Sequence, residues 1–231
     1  FTAGSGVGLL WLHGRRGELG GPAAAVAPGP LAREGLPFML LAVAGQLLAN
    51  QDRFLLELSG VARSDIGLWA AAATLAWAVV ALPQLLAVAA YPTLSRAAAA
   101  GRSRAAYGLA CGAGGALVGL AAWVVLWALA GPLVRVAFGP GFEPAAALLG
   151  RLAPALPGAF ALMMMGAVLA AWREQGRALA VMTGAVALSV CLNLLWIPRL
   201  GVAASAAAAV ATYSAAAIVM AVVLGLGPRR R

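Results

Sequence analysis

The stretch that decides the fold runs from Ile66 to Ser95 and reads IGLWAAAATLAWAVVALPQLLAVAAYPTLS. It contains 30 residues without a charge, whereas a helix needs about 20 apolar residues to cross the hydrocarbon core of a bilayer. Soluble domains carry about a quarter charged residues, so an uncharged window of this length is typical of a membrane span. We therefore predict a transmembrane helix over residues 66–94.

Four further uncharged windows follow, of 30, 21, 21 and 29 residues. The whole chain agrees with them, since 63% of its 231 residues are hydrophobic and 10% are charged. Together with a more polar segment before them, the windows predict an all-α, polytopic membrane helix bundle. Its six predicted transmembrane helices cover residues 36–59, 66–94, 107–133, 145–172, 178–197 and 202–226.

The remaining segments flank this bundle. Residues 1–12 are mostly apolar and lack an initiator methionine, so we interpret them as the end of a truncated transmembrane helix in a piece of a longer protein. Residues 13–35 contain charges, prolines and glycines and predict a loop. Residues 227–231 form a basic tail.

Arginine placement predicts the topology. All 16 basic residues are arginine, and eleven of them fall before the first span, in alternate loops and after the last span. Four fall in the loops of the opposite side, and Arg53 lies inside the first span. Because cytoplasmic loops carry the arginine excess, we predict that the loop 95–106 and the C-terminus are cytoplasmic. The net charge of +9 is spread over short clusters, a pattern that disfavours nucleic-acid binding.

Signals of catalysis are absent from the sequence. His13 is the only histidine, and Cys111 and Cys191 lie singly within apolar runs. No nucleophile-elbow, metalloprotease or phosphate-loop motif occurs. We therefore predict a protein that is not an enzyme and that needs no cofactor and no metal.

The first span carries a polar stripe. Gln46, Asn50, Arg53 and Glu57 follow one another at steps of 4, 3 and 4 residues, so they share one helical face. A charge at the centre of a membrane helix costs about 3 kcal/mol on insertion scales, and such residues usually face a cavity or a partner. We predict that the stripe lines a water-filled cavity. The alternative is that the span ends near Gln51 and that the charges lie at the outer interface.

Three further polar residues belong to the predicted site. Gln84 and Asn193 lie in other spans and could complete the cavity. Asp52 points about 100° away from Arg53. We expect its carboxylate to pair with an arginine of the outer side, such as Arg151, or to take up a coupling proton.

Small residues and prolines predict how the helices pack and bend. One helical face carries Gly108, Gly112, Gly115 and Gly119. Small residues let membrane helices approach closely, so this face predicts a tight helix contact, with a dimer seam as the alternative. Proline removes a helical donor, and kinks are therefore expected near Pro83, Pro92, Pro154 and Pro157.

Four short segments carry a resemblance to a known family. They are NQDR at Asn50–Arg53, YPTLSR at Tyr91–Arg96, LGRLAP at Leu149–Pro154 and NLLWIPRLGVAA at Asn193–Ala204. In order and spacing they resemble the C-terminal lobe of polysaccharide-biosynthesis flippases, members of the multidrug, oligosaccharidyl-lipid and polysaccharide exporter superfamily. Ala203 departs from the pattern, because glycine is common at its position.

The resemblance implies a transporter of two six-helix lobes around a central cavity. Residues 36–226 would be the C-terminal lobe, and residues 13–35 the cytoplasmic inter-lobe loop. It implies a multi-pass protein of the bacterial cytoplasmic membrane that moves polyprenyl-pyrophosphate-linked oligosaccharide by alternating access. The implied partners are the lipid bilayer, the lipid-linked glycan, the missing N-terminal lobe and a glycan polymerase or transferase complex. A cation-coupled multidrug exporter of the same superfamily and a non-transporting membrane scaffold in glycan assembly remain the alternatives.

Overall fold

A computed structural model describes residues 28–227 of the chain, and the side chains of residues 35–227. Every regular element in this range is helical, which confirms the predicted all-α class. The helices are α1 Pro28–Leu58, α2 Arg63–Ala78, α3 Ala81–Ala99, α4 Arg104–Phe138, α5 Ala145–Leu152, α6 Leu156–Ala171, α7 Gln175–Leu200 and α8 Val202–Gly225. Short 3-10 helices, Pro140–Phe142 and Ala153–Ala155, precede α5 and α6. By compactness the chain divides after Leu36, and the packing described below lies in the unit that starts at Pro37.

Five helical segments of the described range are long and apolar enough to cross a bilayer, in agreement with the predicted multi-pass membrane class. They are Arg63–Ala99, Arg104–Phe138, Ala145–Ala171, Gln175–Leu200 and Val202–Gly225. The count of six is not confirmed, because α1 is not among them. Although α1 has 31 residues, the polar and charged residues that follow Ala49 lower the hydropathy of its second half.

The start of α1 corrects one predicted boundary. The composition of residues 28–35 predicts that they belong to the loop 13–35, yet they are helical from Pro28 onward. Proline is compatible with the first turn of a helix, where its missing N–H has no intrahelical partner to lose. The predictions for residues 1–12, for most of the loop and for residues 228–231 of the tail lie outside the described residues.

Two of the spans are interrupted near their prolines. Between α2 and α3 the ring of Pro83 cannot donate to the carbonyl of Val79, and the N–H of Leu82 bonds that oxygen at 3.0 Å instead. Between α5 and α6 the 3-10 turn contains Pro154, and Pro157 lies in the first turn of α6. Pro92 lies inside α3, which continues through it. The predicted backbone breaks are therefore present at two of these sites.

The α5–α6 segment forms the centre of the bundle. It is 67% buried over its most apolar stretch, compared with 22–33% for the other four candidate spans. Helices α3, α4 and α8 pack against α6, and α2 packs against α5. The core is therefore built around one central span, and the outer helices turn broad apolar faces away from the protein.

The glycine face of α4 lies against this centre. The four glycines of this face, Gly108, Gly112, Gly115 and Gly119, are buried. A Cβ atom on Gly115 would lie 2.7 Å from the carbonyl oxygen of Phe160, and one on Gly119 would lie 2.7 Å from that of Leu156. Such distances are too short for any side chain. Because α6 of the same chain occupies this face, it is not free to form a dimer seam.

Candidate functional site

The polar stripe of α1 lies on the open side of the helix. Gln46 and Glu57 are exposed, while Asn50 and Arg53 are half-buried. The side-chain amide of Asn50 donates to the backbone oxygen of Gln46 at 3.0 Å and to its side-chain oxygen at 3.3 Å. The four residues therefore present amide, carboxylate and guanidinium groups along one accessible face, which suits a polar or charged ligand.

Arg53 has unused hydrogen-bonding capacity. Its Nε is buried without a partner among the described residues. No ion pair joins Arg53 to Glu57 in the part of the chain that the structure describes. Buried donors are satisfied in the great majority of cases, so this Nε is an exception among the buried polar atoms.

Asp52 points the other way, into the protein. Its Oδ2 accepts a 2.7 Å hydrogen bond from the indole nitrogen of Trp69, which is fully buried on α2. Its Oδ1 accepts from the backbone N–H of Arg53 at 3.0 Å. The expected pairing with Arg151 does not occur in the structure, because Arg151 is exposed on α5 and the indole takes its place. Consecutive residues lie about 100° apart on a helix, which explains why Asp52 and Arg53 face different surroundings.

Further buried polar atoms lack a hydrogen-bond partner among the described residues. The amide of Gln51, the Nε1 of Trp77 and the Oγ1 of Thr212 are all buried without partners among the described residues. These atoms belong to three helices, α1, α2 and α8. The rings of Trp77 and Tyr213 lie 5.2 Å apart. Sequence analysis missed Trp69 and Trp77 because each lies within an uncharged apolar run.

The other two predicted cavity residues differ in burial. Asn193 is only 1% exposed. It donates to the backbone oxygen of Ser189 at 2.9 Å and accepts from the hydroxyl of Ser205 at 3.0 Å, so it links α7 to α8 inside the bundle. Gln84 is exposed on α3. The structure thus joins Gln46 to Asn50 and Asp52 to Trp69, and it places Asn193 in the core.

A second polar centre, which the sequence did not reveal, lies around Arg104 at one end of the bundle. The buried Arg104 guanidinium donates to the backbone oxygens of Leu224, at 3.0 and 3.3 Å, and Leu226. It also forms an ion pair with Glu174, and Arg177 contacts the same carboxylate at 3.0 Å. Arg104 therefore caps the C-terminus of α8 while holding the loop between α6 and α7, an arrangement that satisfies carbonyls which a helix end leaves open.

This arginine cluster also bears on topology. It brings the start of α4, the start of α7 and the end of α8 to the same end of the bundle. Two of the loops that the arginine pattern assigned to one side of the membrane, those before α4 and before α7, are therefore together in space. The sequence indicates only that these arginines lie in loops. Arg104 pairs with Glu174 and Leu224, which are 70 and 120 positions away, so the pairing leaves no local pattern in the sequence.

Comparison with protein-family models, with curated proteins and with solved structures gives no match for this chain. The resemblance to flippases therefore rests on the four short motifs. One of them has a clear structural reason: Gly201, in the turn between α7 and α8, has φ +57° and ψ −139°. Backbone of this kind is readily adopted by glycine and strained for other residues.

Proposed function

We propose that this chain is the C-terminal lobe of a flippase that moves polyprenyl-pyrophosphate-linked oligosaccharide across the bacterial cytoplasmic membrane. The observation that carries the proposal is the face of α1. It holds a half-buried arginine that has no ion pair among the described residues, on an accessible polar stripe, within a bundle whose other long helices are apolar.

The chemistry of this substrate fits such a face. The sugar and the pyrophosphate cannot enter hydrocarbon without a large desolvation cost, whereas the polyprenyl chain can remain in the bilayer. A guanidinium binds phosphate oxygens strongly and often through two parallel bonds. Arg53 would bind the pyrophosphate, and the amides of Gln46 and Asn50 would contact the polar head.

In this proposal α1 is the sixth span and forms part of the cavity wall. Its polar stripe makes it a poor span in lipid but a suitable one against water. The hydrogen bond between Asp52 and Trp69 joins α1 to α2. A movement of α2 would therefore move α1 as well. The breaks between α2 and α3 and between α5 and α6 supply places where a span can bend during alternating access.

The same proposal assigns the arginine-rich end of the bundle to the cytoplasm. The structure places Arg102, Arg104 and Arg177 around one end, and the sequence adds Arg229, Arg230 and Arg231 shortly afterwards. Arginine excess favours the cytoplasmic side, which is where a lipid-linked oligosaccharide would be loaded.

A second candidate is a cation-coupled exporter of the same superfamily. Asp52 favours it, because this largely buried carboxylate has no arginine in salt-bridge contact among the described residues. A carboxylate inside a membrane protein is a common carrier of coupling protons. The two candidates differ in the cargo and in whether an ion gradient drives the transport.

The test is translocation by the purified full-length transporter that contains this chain, reconstituted in liposomes. A lipid-linked oligosaccharide with a fluorescent sugar is placed in one leaflet, and its exposure to an added lectin on the other side is followed. We expect protein-dependent exposure of the glycan. Transport of organic cations in its place would support the exporter, and no transport of either cargo would support the scaffold.

A further inference from the structure

We propose that the groove between α7 and α8, together with the arginine-lined cavity beside it, binds one anionic phospholipid of the surrounding bilayer. This site is separate from the polar face of α1 and does not rest on the flippase function. Its two parts have different chemistry, and each matches one part of such a lipid.

The groove has the dimensions of one lipid chain. It has a volume of about 530 Å³ and runs from Arg177 to Leu188 along α7 and from Leu226 to Ala215 along α8. Eleven residues of helix cover about 16 Å, and half of the hydrocarbon core is about 15 Å. The groove is therefore as long as one leaflet is deep, which suits an acyl chain better than the far longer polyprenyl chain of the proposed substrate.

Small residues keep the groove open. Its floor contains Ala180, Gly184, Ala185, Ala215 and Ala216, and Gly184 has no atom within 4 Å of the position where a Cβ would be. Larger side chains at these places would close the space between the two helices. Helices α7 and α8 pack against each other elsewhere along their lengths. The groove is therefore a local space on one face of a packed helix pair.

The head-group side is positively charged. A second cavity of about 280 Å³ shares Leu226 with the groove and is lined by Arg102, Ser103 and Arg104. Arg177 lies at the mouth of the groove. Glu174 is the one acid that lines either cavity, so the three arginines leave an excess of positive charge.

These features favour a lipid with a negatively charged head group. Basic pockets between membrane helices on the cytoplasmic side bind anionic head groups. A zwitterionic lipid would place its ammonium group among the arginines, which is unfavourable. The head group would lie against Arg102 and Arg177, with one acyl chain along the groove.

The experiment is native mass spectrometry of the purified full-length protein with phosphatidylglycerol or phosphatidylcholine, comparing two variants. Gly184→Leu fills the groove. Gly114→Leu makes the same change at an exposed glycine of α4 that also has open space around it. We expect retention of phosphatidylglycerol over phosphatidylcholine, about tenfold weaker retention in Gly184→Leu, which corresponds to about 1.4 kcal/mol, and wild-type retention in Gly114→Leu.

Arg102→Gln tests the head group, because Arg102 takes no part in the ion pairs of the described residues. We expect this variant to lose the preference for phosphatidylglycerol while its unfolding temperature without lipid stays at the wild-type value. Equal retention by Gly184→Leu and Gly114→Leu would overturn the proposal. So would equal binding of the two lipids, or displacement of phosphatidylglycerol by polyprenyl phosphate at the same concentration.

Discussion

The indole nitrogen of Trp69 lies 2.7 Å from Oδ2 of Asp52, and this hydrogen bond connects α2 to α1. Trp69 is fully buried, so the bond holds the Asp52 side of α1 toward α2. Consecutive helical residues point about 100° apart, so Arg53 is turned toward the polar stripe.

Removing the indole donor of Trp69 should lower the stability of the folded protein. Trp69→Phe keeps an aromatic ring but leaves Asp52 with one bond fewer, and hydrogen bonds to charged groups contribute about 1.5–3 kcal/mol. We expect a lower unfolding temperature in detergent. The matched control is Trp77→Phe, which removes an indole N–H that has no partner among the described residues. In the Asp52→Asn background the extra cost of Trp69→Phe should shrink, and an unchanged cost there would argue against the bond.

Adjacent glycines of α4 should respond differently to the same change. Gly115→Ala places a Cβ 2.7 Å from the carbonyl oxygen of Phe160, whereas Gly114 has open space. Overpacking typically costs about 1–3 kcal/mol. We therefore expect Gly115→Ala to lower the unfolding temperature and Gly114→Ala to leave it unchanged or raise it slightly, as alanine favours helix over glycine. Equal temperatures for the two variants would mean that α4 does not approach α6 so closely.

The two ion pairs at opposite ends of α4 should differ in importance. Arg104 is buried and bonded to Glu174 and to carbonyls of α8, and breaking a buried pair costs about 3–5 kcal/mol. We expect Arg104→Gln to reduce the yield of folded protein strongly. Arg135, in its pair with Glu143, is 69% exposed, so Arg135→Gln should fold like the wild type. Thermal unfolding followed by circular dichroism provides the comparison, and similar losses in both variants would contradict the burial of Arg104.

The two ends of the α2–α3 segment should label from opposite sides of the membrane. Ser64 lies at the start of this candidate span and Ala100 just after its end, and both are exposed. Cys111 and Cys191 are first replaced by alanine so that each variant has one thiol. A membrane-impermeant maleimide added outside cells should label Ser64→Cys and leave Ala100→Cys unlabelled. Outside labelling of Ala100→Cys would reverse the proposed orientation.

Much of the fold was predictable because a bilayer imposes simple requirements on sequence. The uncharged windows after Asp65 correspond to the five candidate spans, and the structure extends the predicted 66–94 and 107–133 to Arg63–Ala99 and Arg104–Phe138. The ends shifted because charged and polar residues such as Arg63 and Arg104 continue a helix beyond its apolar part. The start of α1 was missed for a similar reason, since prolines and charges resembled a loop although they are compatible with the first turns of a helix.

The candidate site was less predictable, because its contacts join residues far apart in sequence. Helical periodicity was enough to place Gln46, Asn50, Arg53 and Glu57 on one face. It could not show that Asp52 bonds Trp69, since an indole N–H in an apolar run gives no signal of its partner. Asn193 was placed in the cavity for its polarity alone, whereas Ser189 and Ser205 satisfy it inside the core.

The most direct test of the account is the rate at which the reconstituted full-length transporter exposes lipid-linked oligosaccharide when Arg53 is changed. Arg53→Ala removes the proposed phosphate-binding group, and Arg151→Ala removes an arginine that is exposed on α5. At equal protein in the liposomes, the account predicts that Arg53→Ala loses most of the translocation, that Arg53→Lys recovers part of it, and that Arg151→Ala keeps the wild-type rate. A wild-type rate in Arg53→Ala would contradict the account and leave Arg53 as an anchor at the membrane interface.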